Sequence, residues 1–117
     1  MEGFPLILSF SLAGTLLGFF TGLIPGIHVN NVAFTLLTSL PVIFYLFEGA
    51  SLPQGFLSLC VAALVVSAAI SHTFLSFIPA AFFGAPEGDT ALSLLPAHQM
   101  LLEGRGYEAV ALSAVGS

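Results

Sequence analysis

Leu6-Ile7-Leu8-Ser9-Phe10-Ser11-Leu12-Ala13-Gly14-Thr15-Leu16-Leu17-Gly18-Phe19-Phe20-Thr21-Gly22-Leu23-Ile24-Pro25-Gly26-Ile27-His28-Val29-Asn30-Asn31 is the stretch that decides the fold. From Leu6 to Ile24 it carries no charged side chain, and a membrane-spanning helix needs about 20 such apolar residues. Pro25-Gly26 then stops the helix inside apolar sequence, because proline removes a donor and glycine releases the backbone. The polar residues His28, Asn30 and Asn31 follow at once. The stretch reads as a membrane helix broken at a polar cluster.

The rest of the chain agrees with that reading. Of 117 residues, 57% are hydrophobic and 6% charged, against about 25% charged in an average soluble domain. Mean hydropathy is +1.08. The charged residues are Glu2, Glu48, Glu87, Asp89, Glu103, Glu108 and Arg105. Residues 3–47 and 49–86 contain none of them. This excludes a soluble globular domain, a disordered tail and a nucleic-acid binder, since one Arg and no Lys cannot neutralise phosphates. The net charge of -5 reflects missing bases rather than an acidic surface. The start, Met1-Glu2-Gly3-Phe4-Pro5, lacks the basic region of a cleavable signal. Cys60 is the single cysteine. It excludes an internal disulfide and a thiolate metal cluster, and reads as a small buried apolar residue.

The expected fold is an all-α, polytopic transmembrane bundle with broken or re-entrant helices. The first span runs from Leu6 to Ile24, with Pro5 in its first turn. A second runs from Asn30 to Phe47, kinked at Pro41. Glu48 to Gln54 is a polar turn, and Gly55 to Ile78 is the third span. Beyond it Pro79, Pro86 and Pro96 punctuate the chain, with Gly84 and Gly88 between them. The apolar pieces Ala80–Phe83, Ala91–Leu95 and Ala97–Leu102 are each too short to cross. Such backbone is tolerated at membrane depth only when buried in protein or lining a wet cavity. Gly104-Arg105-Gly106 makes a turn before a last helix. The positive-inside rule, resting on Arg105 alone, places that turn in the cytoplasm. Residues 1–117 form one membrane domain, expected to be the N-terminal part of a larger two-half transporter at the cell membrane.

Several clusters could carry chemistry. Gly14, Gly18, Gly22 and Gly26 recur every fourth residue, a smooth stripe that lets another helix approach closely. That stripe indicates packing. At the first break, Asn30 or Asn31 is expected to cap the following helix. That helix start would present unpaired N–H groups and a positive dipole end, which suits an anion. In the third span Ser67 and Ser71 should bond to carbonyls, while His72 is an ionisable group at membrane depth. Gly84-Ala85-Pro86-Glu87-Gly88-Asp89-Thr90 repeats the Gly–Pro–Gly order of the first break. Its two carboxylates must be solvated, paired or protonated. Glu87 and Asp89 would bind H⁺ or Na⁺ at mid-depth, and would simply be solvated in an external loop. There is no Gly-x-Ser-x-Gly, His-Glu-x-x-His or P-loop, so the chain is not expected to be an enzyme. No cofactor and no metal site are expected.

Gly18-x-x-x-Gly22-Leu23-Ile24-Pro25-Gly26, followed by Gly104-x-Gly106-Tyr107-Glu108-Ala109-Val110-Ala111-Leu112 and a closing Ser, resembles the large membrane subunit of tripartite tricarboxylate transporters, most closely their archaeal branch. The resemblance implies a polytopic secondary transporter with two related halves that moves organic acids along an ion gradient. It implies partners too, since bacterial members work with a small membrane subunit and an extracytoplasmic solute-binding protein. Pro25 and Gly26 match the family's Pro-Gly break. Pro86–Thr90 falls where the family has its second. On this reading Pro25, Gly26, His28, Asn30 and Asn31 hold a small organic anion. Glu87, Asp89, Thr90 and His72 couple it to Na⁺ or H⁺ within the membrane lipid, by alternating access. Two other readings use the same residues: a flippase for a lipid-linked phosphate, and a non-transporting assembly subunit.

Overall fold

A computed structural model gives an all-helical chain and describes residues 3–50, 52–84 and 91–116. Among the described residues six α-helices follow in order: α1 (Phe4–Leu23), α2 (Val29–Thr38), α3 (Leu40–Phe47), α4 (Gln54–Phe83), α5 (Ala91–Leu102) and α6 (Gly106–Gly116). A short 3-10 turn, Glu48–Ala50, follows α3. Two helices, Phe4–Leu23 and Gly55–Phe83, are long and apolar enough to cross a membrane, and α2 with α3 form a third, bent candidate.

α1 forms because its residues are apolar and its hydroxyls need no outside partner. Pro5 lies in the first turn, where its missing N–H costs nothing. Ser9 donates to the Pro5 carbonyl at 2.8 Å and Thr15 to the Ser11 carbonyl at 2.9 Å. Leu8, Leu12, Leu16 and Phe20 are exposed along one side. The opposite side is the glycine seam, where Gly14, Gly18 and Gly22 are buried.

That seam fixes how α1 meets α4. A Cβ on Gly14 would strike the Leu64 carbonyl, one on Gly18 the Ala68 carbonyl, and one on Gly22 would come within 2.8 Å of the His72 carbonyl. Both helices advance four residues at each step, so they run parallel with backbones in direct contact. Ser71 ties them further, its hydroxyl donating to the Thr15 carbonyl at 2.9 Å. Ser67 instead bonds back to the Ala63 carbonyl on its own helix.

Two parallel neighbours in sequence require a return path between them, and α2 with α3 supplies it. α2 begins just after the end of α1. The Phe47 ring at the end of α3 then lies 5.7 Å from Phe10, near the start of α1. The pair therefore turns back along α1 as one bent candidate span. It bends by 48°. The break falls at Ser39, two residues ahead of the expected kink at Pro41. Pro41 has no N–H to offer the Leu37 carbonyl. The Ser39 hydroxyl also donates to the Thr35 carbonyl at 2.7 Å and Thr38 to the Phe34 carbonyl at 3.0 Å. Such back-bonding loosens the helical ladder and bends it.

Two expected boundaries are corrected. α4 does not stop at Ile78; it continues through Pro79 to Phe83. The residues after Pro79 are Ala-Ala-Phe-Phe, which stay helical once one hydrogen bond is forgone. The helix ends at Gly84, whose φ of +63° permits the left-handed cap that returns its N–H to the Ala80 carbonyl. Likewise Ala91–Leu95 and Ala97–Leu102 are one helix, α5, with Pro96 inside it.

α5 and α6 fold onto the far end of α4. Leu94 and Ala97 of α5 and Ala109 of α6 enclose Phe77 and Ala81 in a small core. The His98 ring reaches the Ala81 carbonyl at 2.7 Å. A carbonyl only accepts, so Nδ1 carries the hydrogen, and the imidazole caps one of the free carbonyls at the end of α4. Arg105, on the exposed turn before α6, pairs with Glu108 in the first turn of that helix. An exposed pair of this kind adds little stability. Cys60 is fully buried in α4, as its apolar neighbours suggest.

Candidate functional site

Pro25, Gly26 and His28 make up the turn between α1 and α2. Gly26 has φ +88° and nothing within 4 Å of where a Cβ would lie. The position demands a left-handed conformation and borders open space. It departs from the packing stripe: α1 has ended at Leu23, so the four-residue repeat continues in sequence but not on the helix.

The cap is also not the expected one. His28 occupies the N-cap of α2 in an extended conformation, φ -90° and ψ 140°. Its backbone carbonyl accepts from Asn31 N–H at 3.0 Å. Asn30 and Asn31 lie one and two residues inside the helix and do not cap it; no side chain does. A break of five residues, 24–28, places the helix start ahead of the asparagines. With the Asn31 N–H bonded to the His28 carbonyl, the N–H groups of Val29 and Asn30 are the ones in the first turn of α2 with no intrahelical partner. Val29, Val32, Ala33 and Leu36 are the partly covered stripe of α2, and Asn30 and Asn31 are on the exposed side. Among the described residues neither asparagine amide has a protein partner. The result is an open, uncapped helix start with two free amides beside it, in a stretch with no carboxylate to repel an anion.

His72 is the second centre. It is 2% exposed, the buried polar residue of α4. Its Nδ1 lies 3.0 Å from the Thr21 hydroxyl of α1. Thr21 is four residues ahead of Pro25, so the bond holds His72 about one helical turn from the break. The Thr21 hydroxyl is also 2.9 Å from the Leu17 carbonyl. Among the described residues, His72 Nε2 is the buried side-chain polar atom left with no partner. Thr21 was not singled out as a site residue. The signal was present, since Thr21 lies three residues beyond Gly18 and thus on the face α1 turns to α4.

Glu87, Asp89 and Thr90 lie outside the described residues, as does most of the second Gly–Pro–Gly stretch. Among the described residues no cluster of His, Cys, Asp or Glu could hold a metal ion. A cavity of about 660 Å³ opens between α4, α5 and α6, lined by Phe74, Phe77, Ala97, Met100 and Leu112, with the Thr73 and Ser113 hydroxyls. Its wall is mostly apolar, with those two hydroxyls its polar side chains among the described residues.

Comparison with known proteins gives one family and one relative. The model of the tripartite tricarboxylate transporter TctA family matches residues 8–117. An uncharacterized protein of Methanocaldococcus jannaschii is 38% identical over 110 residues, which cover 94% of this chain and 24% of that protein. The chain thus spans about a quarter of the length of the relative it matches. No solved structure matches it.

Proposed function

The chain belongs to the tripartite tricarboxylate transporter TctA family, and we infer that it is the N-terminal part of a two-half, multi-pass permease of the cell membrane that moves an organic acid anion. The substrate is a di- or tricarboxylate, held at the first break by Pro25, Gly26, His28, Asn30 and Asn31. Transport draws on an H⁺ or Na⁺ gradient through His72, Glu87, Asp89 and Thr90. The permease works with a small membrane subunit and an extracytoplasmic binding protein.

One observation carries the reading. α2 starts without a side-chain cap, beside two unpaired asparagine amides and the open space at Gly26. An uncapped helix start of this kind suits a carboxylate, because aligned N–H groups and the helix dipole favour negative charge there. With a single Arg in the chain, backbone donors rather than side-chain cations supply the positive potential.

Uptake of labelled citrate into vesicles holding the complete transporter tests this. Asn30→Ala is expected to cut uptake by about tenfold or more, since one lost hydrogen bond to a charged group is worth about 1.5–3 kcal/mol. Folding should be unchanged, because the Asn30 side chain is exposed. Undiminished uptake in Asn30→Ala and in Asn31→Ala together would remove the site assignment.

A further inference from the structure

We propose that Nε2 of His72 is a proton-binding position, and that the proton it takes is carried with the organic anion. This rests on the anion site proposed above and names the coupling ion as H⁺.

The Thr21 hydroxyl has one hydrogen. Directed to the Leu17 carbonyl at 2.9 Å, it leaves the hydroxyl oxygen to accept from His72 Nδ1–H at 3.0 Å. In that arrangement Nδ1 carries the ring hydrogen, and Nε2 is a bare lone pair. That lone pair is buried and has no donor. A buried acceptor without a donor destabilises the fold, whereas an apolar side chain at the same place would not. Every neighbour of His72 within three residues on α4 is apolar or bears a hydroxyl. The imidazole is therefore retained against stability, which marks a group held ready for a partner.

The surroundings decide which partner. Na⁺ is a hard cation that takes oxygen ligands, and an imidazole nitrogen suits it poorly. A proton fits the lone pair directly. α1, which faces His72, has no titratable side chain, and neither has α2, which is preceded by His28. On α4 itself the other titratable group is Cys60, about three turns away. α5 and α6 pack at the far end of α4, where His98 is engaged by Ala81; Glu103, Arg105 and Glu108 lie on the exposed turn between them. Among the described residues no carboxylate faces His72, and an anion at the break, about one turn beyond Thr21, would supply a counter-charge to an imidazolium there. The anion then favours the proton, and by linkage the proton favours the anion by the same factor. Loading and release of the two are tied together without any direct bond between them.

The test is citrate affinity of the complete transporter in detergent between about pH 7 and pH 8, well above the carboxylate range. If one proton binds with the anion, the wild-type affinity should fall by close to tenfold over that unit, and His72→Gln should show a flat profile. His72→Leu loses the Nδ1–Thr21 bond but also removes the orphaned Nε2, so it should fold and melt near the wild-type temperature. A pH-independent wild-type affinity would overturn the proposal while leaving the anion site standing. An equal slope in wild type and His72→Gln would move the proton to another group and overturn it as well. Absence of citrate binding in the wild type would remove the anion site and this proposal together.

Discussion

Gly18→Leu will detach α1 from α4 and leave a protein that does not purify as a folded species. Any Cβ at Gly18 meets the Ala68 carbonyl and lies 2.9 Å from His72 N, both of them backbone. No side-chain rotation relieves that overlap, so the helices must separate. Separation loses the Ser71–Thr15 and His72–Thr21 bonds along with the close packing that holds membrane helices together. Overpacking commonly costs about 1–3 kcal/mol, and a clash with backbone belongs at or beyond the upper end. Gly18→Ala should already lower the melting temperature in detergent. Gly55→Ala is the control. Nothing lies within 4 Å of its Cβ position, and alanine in a helix is favoured over glycine by about 0.5–1 kcal/mol, so its stability should hold or rise. A Gly18→Leu protein as stable as wild type would show that the two helices are not packed as described.

Gly26→Leu will have the opposite profile: a folded protein that no longer binds anion. Gly26 is the last member of the same four-residue repeat, yet it packs against nothing. Leucine there is strained by its φ of +88°, a cost of about 1–2 kcal/mol for a residue with a Cβ in the left-handed region. That is tolerable for the fold. It is not tolerable for the site, because the side chain fills the open space beside the start of α2 and tilts its first turn. Citrate affinity is expected to fall at least about a hundredfold, equivalent to about 2.7 kcal/mol. Unchanged citrate affinity in a folded Gly26→Leu protein would place the anion elsewhere.

The contrast between these two glycines shows what could be read from the residues. The spans were legible because charge is missing from residues 3–47 and 49–86, and nothing but a bilayer accommodates so long an uncharged stretch. The stripe was legible as packing for Gly14, Gly18 and Gly22, since four-residue spacing puts them on one helix face. Gly26 shares the spacing but not the face, and only the end of α1 at Leu23 separates it from the others. The α2–α3 bend was legible from Pro41, but its position was moved by the hydroxyls of Thr38 and Ser39. Pro79 and Pro96 looked like helix ends and are not. Proline forgoes one hydrogen bond, and Pro79 and Ala97 are seated in packed surroundings that hold the helix together across the gap. The partner of His72 was out of reach, because Thr21 is 51 residues away and only the parallel packing of α1 on α4 brings them together.

The family membership and the open start of α2 converge on one expectation, that an organic anion binds the folded protein at the first break. Ligand-dependent melting of the complete transporter in detergent tests this most directly. A ligand that binds only the folded state stabilises it by about 2.7 kcal/mol at a hundredfold excess over its dissociation constant. The account predicts a rise in melting temperature with citrate or another di- or tricarboxylate, abolished by Asn30→Ala with Asn31→Ala. A rise with polyprenyl phosphate but with no carboxylate, or a carboxylate shift that survives the double substitution, would contradict it.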